Sequence, residues 1–143
     1  MRTLGIDYGD SRVGIAVTDA LGITAQGLET ITHNGNDKIL LRRLDEILEK
    51  YPEVDTIVVG MPYNMDGTKT VRAEVTEKFI HKLKCKNNKL KIDTIDERLT
   101  TVAAHKTMNF LDVNKTKKRG IVDTISAVYI LEMYMNKNKK LKN

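Results

Sequence analysis

Three β-rich stretches stand close together at the start of this chain: Thr3 to Asp7, Arg12 to Thr18, and Ile23 to Ile31. Only Tyr8-Gly9-Asp10-Ser11 and Asp19-Ala20-Leu21-Gly22 separate them. Links that short cannot carry a crossover helix, so the three strands are expected to pair antiparallel, as hairpins. The period then changes. Leu40, Leu44, Ile47, Leu48 and Tyr51 form one helical stripe, with Asn36 or Asp37 placed to cap it and Pro52 just beyond. "VDTIVVG" (Val54 to Gly60) reads as a strand buried on both faces, the habit of parallel sheets. A second helix carries Val71, Val75, Phe79 and Leu83 behind an N-cap at Thr70, and "LKIDTI" (Leu90 to Ile95) is a further strand. A third helix is expected from Glu97 or Arg98 to about Phe110, and a last one from Ile121 to Met135. The order β-β-β-α-β-α-β-α-α predicts an α/β fold. Its mixed five-stranded sheet has three antiparallel strands, then βαβ crossovers, with helices on both faces. One domain is expected over residues 1–135, followed by a basic, unstructured tail over 136–143.

Composition narrows the setting. The single Cys85 excludes an internal disulfide framework, and no apolar run reaches the roughly 18 residues of a membrane span, so a cytoplasmic protein without a membrane partner is expected. The formal charge is +5, and the excess is clustered. Lysines 82, 84, 86, 89 and 91 form one run, Lys115 to Arg119 a second, and Lys137 to Lys142 a third. Three such runs favour a polyanionic partner. Aromatic residues are only 5% of the chain, so the backbone rather than stacked bases is the expected point of contact.

Certain acids fit poorly with a simple core. Asp7 ends the first strand, where it either caps the turn at Tyr8-Gly9 or needs a positive partner. "TIDERLTT" sets Asp96 and Glu97 where a strand becomes a helix; one cap suffices there, and Glu97 is left over. Asp123 shares a helical row with Ser126, Ala127 and Ile130, which turns it toward the sheet. Three carboxylates converging on one spot repel unless a divalent cation lies among them. Hard oxygen donors without a His or Cys cluster indicate Mg²⁺ or Mn²⁺. Two such ions about 3.5–4 Å apart are the usual means of cutting a phosphodiester. The metal ligands and catalytic residues expected are therefore Asp7, Glu97 and Asp123.

Four stretches, "LGIDYGDSRVGIAV", "VVGMPYNMDGT", "DERLTT" and "KKRGIVDTISAVYIL", resemble the YqgF-type family of pre-16S ribosomal RNA nucleases and Holliday junction resolvases, of ribonuclease H-like fold. The likeness extends to about Met135. It implies a nuclease that matures the 5′ end of 16S ribosomal RNA, with Asp7, Glu97 and Asp123 at the family's acid positions. It also implies that Arg98 reaches a phosphate and that a substrate backbone passes Lys117, Lys118 and Arg119. Asp10-Ser11 and Tyr63 depart from the family's usual residues, which bears on substrate contact and not on the acids. The related resolvases use four acids, and three are placed here. Gly9 either admits a phosphate where a Cβ would intrude or supplies a positive φ. Asn64 and its loop either bind substrate or only build a turn.

The partner expected is structured RNA, the pre-16S transcript, met by a monomer or weak homodimer. Branched DNA is the alternative substrate. Two readings of another class are a nucleotide-binding module of the actin/hexokinase type and a non-catalytic RNA binder. His33, His81 and His105 share no metal-ligand spacing, and His33 sits in a turn, "HNGN". None is expected to have a role.

Overall fold

The computed structural model describes residues 1–99 and 116–142. Five strands form one sheet: β1 (Arg2–Tyr8), β2 (Arg12–Thr18), β3 (Ala25–Thr32), β4 (Val54–Met61) and β5 (Lys91–Asp96). Their spatial order is β3-β2-β1-β4-β5, which puts the first strand in the middle. β1 pairs antiparallel with β2 and parallel with β4; β2–β3 is antiparallel and β4–β5 parallel. The mixed sheet expected from the short links is the one that forms.

Two helices cover one face. α1 (Asp37–Lys50) follows an Asn36 cap whose side chain accepts from the N–H of Lys38. α2 (Val71–Lys86) follows Thr70, whose hydroxyl accepts from the N–H of Ala73. Leu40, Leu44 and Ile47 of α1 and Phe79 and Leu83 of α2 pack on Leu4, Ile6, Ile15, Ile57 and Val59, all essentially removed from water. Burying a side chain of that size stabilises by about 1.5–3 kcal/mol, so this layer dominates the sheet's stability.

The other face belongs to α3 (Thr116–Lys142). Ala127, Ile130, Leu131 and Tyr134 bury against Ala16, Val58 and Ile95. This helix runs past Asn136 to Lys142, so the segment expected to be unstructured is helical. After β5 the chain makes a short 3₁₀ turn, Glu97–Leu99; the helix expected from there to Phe110 otherwise lies outside the described residues. Among the described residues no helix is long and apolar enough to cross a membrane.

Candidate active site

Side chains alternate along a strand, and that decides where Asp7 points. Leu4, Ile6 and Tyr8 enter the core under α1 and α2. Gly5 and Asp7 therefore face α3, and a Cβ on Gly5 would lie 2.6 Å from Leu131. Asp7 is 5% exposed. Across the β1–β2 ladder it stands opposite Gly14. On its other side, one step beyond the Ile6–Val59 pair, it comes alongside Gly60. The two strand positions that flank this carboxylate on its own face are both glycine.

Each glycine is a space that another acid-bearing residue fills. A Cβ on Gly14 would lie 2.0 Å from the main-chain oxygen of Asp123, so α3 rests directly on the strand beside Asp7. A Cβ on Gly60 would lie 2.6 Å from Oε1 of Glu97. Glu97 is 8% exposed and rises from the 3₁₀ turn after β5, over the neighbouring strand. Asp7 thus stands on β1 between Gly14, on which the Asp123 main chain rests, and Gly60, over which the Glu97 side chain lies. Glycine inside a strand commonly marks such a close approach, and that signal was present in "RVGIAV" and "VVGMP".

Asp123 has a cation of the chain itself for company. Oδ2 lies 3.5 Å from Nε of Arg12, and both side chains are partly exposed. The sequence does not announce the pair, because Arg12 opens β2 and reads there as an ordinary strand-end base. The donor set, three hard carboxylates, suits Mg²⁺ or Mn²⁺. Among the described residues no three His, Cys, Asp or Glu side chains form a ready metal-binding group. The donor type therefore fits a hard cation, while the side chains as they stand are not gathered into a ligand shell.

The other expected contacts fall in varied places. Arg98 is held by its own chain: Nε lies 2.9 and 3.1 Å from the two oxygens of Asp96, and Nη2 bonds the same carboxylate. Those bonds hold the Asp96 carboxyl below the usual aspartate range. Nη1 of Arg98 reaches the Met65 carbonyl at 3.5 Å, and the guanidinium lies 5.7 Å from the centre of the Tyr63 ring. Arg98 so ties the loop after β4 to the turn that carries Glu97. Asn64 closes that loop, donating from Nδ2 to Thr68 Oγ1 at 2.9 Å, and Gly67 takes φ +90° at its tip. Gly9 has no positive φ; a Cβ there would lie 2.5 Å from the Arg12 carbonyl oxygen, so tight closure of the turn is what demands glycine. Lys117, Lys118 and Arg119 fall in the first turns of α3, and their side chains lie outside the described residues. In the first lysine run, Lys82, Lys86 and Lys91 pair with Asp37, Asp45 and Asp93, which leaves less of that run for an outside polyanion than its charge implies.

A family model described as RuvX, Holliday junction resolvase, matches residues 1–137. The chain is 50% identical over 141 residues to a protein of Acetivibrio thermocellus named "Putative pre-16S rRNA nuclease", covering 99% of each. It is 52% identical over 143 residues to a protein of that name from Ruminiclostridium cellulolyticum, covering 98% of this chain and 99% of the relative. Among solved structures, T. thermophilus RuvC in complex with Holliday junction substrate superposes with a TM-score of 0.61 at 13% identity, over 97% of this chain and 96% of that one. The fowlpox virus Holliday junction resolvase superposes with a TM-score of 0.52 at 16% identity, over 96% and 99%. At such low identity both are likenesses of fold, and the fold they share with this chain is the ribonuclease H-like one.

Proposed function

The chain belongs to the RuvX family, and from that premise we propose that it is a metal-dependent nuclease cleaving phosphodiester bonds at the 5′ end of pre-16S ribosomal RNA. The observation that carries the choice of site is the register of Asp7 between Gly14 and Gly60, with Asp123 seated on the first glycine and Glu97 over the second. Asp7, Glu97 and Asp123 are the residues that would hold Mg²⁺ or Mn²⁺. When bound, such ions supply Lewis acidity and a water acidic enough to attack at neutral pH.

The chain's own residues do the rest. Asp7 is fixed on the central strand, so its carboxylate loses little freedom on meeting a cation. Arg12 offsets part of the charge of Asp123. Gly9 keeps the turn beyond Asp7 tight and free of a side chain, leaving room for a strand of nucleic acid to approach. Asn64 and Arg98 brace the loop on the Glu97 side, and Lys117, Lys118 and Arg119 supply positive charge along the backbone's path.

Branched DNA is the second reading, favoured by the description of the family model. One experiment separates the two. Purified protein is given equal amounts of a labelled pre-16S RNA fragment and a four-way DNA junction with Mg²⁺ or Mn²⁺. Preferential RNA cleavage, lost in Asp7→Asn, supports the proposal. Preferential symmetric cutting of the junction replaces it, and cleavage undiminished in Asp7→Asn removes the proposed site altogether.

A further inference from the structure

The turn that follows Asp7 is anchored from the opposite face of the sheet. His33 lies just past β3, in a position that gives no hint of burial, yet its side chain is 0% exposed. Its ring stands 5.5 Å from that of Tyr8, and Nε2 lies 2.7 Å from the carbonyl oxygen of Gly9. A carbonyl can only accept, so Nε2 carries a proton and donates it. The main chain adds to the anchor: the N–H groups of His33 and Asn34 both donate to the Ser11 carbonyl, at 2.9 and 3.1 Å. Tyr8 is fixed in turn, its hydroxyl donating to Asp37 Oδ1 at 2.8 Å.

We propose that His33 is a positioning residue for substrate binding: it holds the Gly9 carbonyl inward, so that the N–H of Asp10 is presented beside Asp7 to a phosphate oxygen of the nucleic acid. The geometry follows from the peptide itself. No peptide in the described residues is cis, and in a trans peptide the C=O and N–H point in opposite directions. His33 sits with Tyr8 on the face of α1 and α2, whereas Asp7 faces α3. A Gly9 carbonyl drawn toward His33 therefore turns the Asp10 N–H to the side of Asp7. Among the described residues that N–H meets no acceptor of the chain. Main-chain N–H groups presented by a turn in this way are a common means of holding phosphate.

This inference rests on the reading of Asp7 as the centre of a nuclease site, and the test keeps the two apart. The amide nitrogen of glutamine reaches the place of Nε2, whereas that of asparagine reaches only the place of Nδ1. His33→Gln and His33→Asn are made in the Asp7→Asn background, and affinity for a pre-16S RNA fragment is measured by fluorescence anisotropy, with melting temperature alongside. The expected result is affinity retained within about threefold for His33→Gln and lowered about tenfold or more for His33→Asn, the cost of one hydrogen bond to a charged group. In the Asp7-containing protein His33→Asn should raise KM correspondingly and leave kcat nearly unaltered, with His33→Gln close to the parent in both. Equal affinities for the two variants, or equal losses that track melting temperature, would overturn the positioning role. The affinity comparison decides His33 whether or not the protein cleaves; absence of cleavage by the Asp7-containing protein would overturn the nuclease reading alone.

Discussion

Asp7 and Gly14 face each other across the β1–β2 ladder, and the main-chain oxygen of Asp123 occupies the place that a side chain on Gly14 would need. The helix can come this close to β2 there because position 14 is bare. Gly14→Ala should therefore push α3 off β2, at a cost of about 3 kcal/mol from overpacking against main chain that has no flexible tip to yield. Chemical denaturation measures the loss, and cleavage should fall with it even below the unfolding midpoint. An unchanged midpoint would mean that the helix sits higher than described.

Gly60→Ala separates packing from chemistry differently. The added methyl meets Oε1 of Glu97 and Cδ1 of Ile130, both ends of movable side chains. Stability should fall by only about 1–2 kcal/mol, while the displaced Glu97 costs more in rate than in folding. Comparing the loss in kcat with the shift in midpoint tests this; parallel losses would argue against a role for Glu97.

Asp7→Asn and Asp123→Asn should abolish cleavage, with losses beyond the roughly hundredfold that removal of an outer-sphere partner brings. RNA binding should hold or tighten in both, since each removes a negative charge from a site that meets phosphates. Filter binding at several salt concentrations, run beside the cleavage assay, would reveal the split. Weakened binding with intact cleavage would contradict it.

Arg12→Gln removes one cation of the chain from beside Asp123. The pair is partly exposed and worth no more than about 1 kcal/mol, so the fold should be nearly undisturbed. Less Mg²⁺ should then be needed for half-maximal cleavage, by about two- to fivefold, because the ion no longer competes with the guanidinium. A metal titration checks the direction, and a higher requirement for Mg²⁺ would show that Arg12 assists binding instead.

The Asp96–Arg98 contact gives an acid dependence. The hydrogen bonds from Arg98 lower the Asp96 pKa, so the unfolded chain binds its proton at higher pH than the native one does. The contribution is complete above the ordinary aspartate value of about 3.9 and is lost as pH falls through the depressed one. Asp96→Asn should destabilise at neutral pH and flatten the acid limb of a stability-against-pH curve. Curves that stay parallel down to pH 2 would rule out this contact as the cause.

The antiparallel-then-parallel mixed sheet, a cap at Asn36 or Asp37 and the cap at Thr70 were legible because they depend on local spacing and turn chemistry. So was the inward aim of Asp123, since Ala127 and Ile130, its row on the helix, are fully buried. Individual side-chain contacts were harder to read. Arg98, which the resemblance sets at a phosphate, is bonded to Asp96 two residues away, a pairing its charge alone does not announce. His33 looked like an exposed turn residue, and nothing local announces that the hairpin turn at Gly9 folds down over it. The tail read as unstructured because its lysines and asparagines bury nothing, but it continues a helix already nucleated by Tyr134 and its neighbours.

Because the central strand is made first and α3 last, the candidate site has one acid within the first ten residues and another beyond residue 120. A chain still emerging from the ribosome can thus display Asp7 but not Asp123. On the proposed reading, the site is whole only after α3 has settled onto Gly14, long after Asp7 has been made.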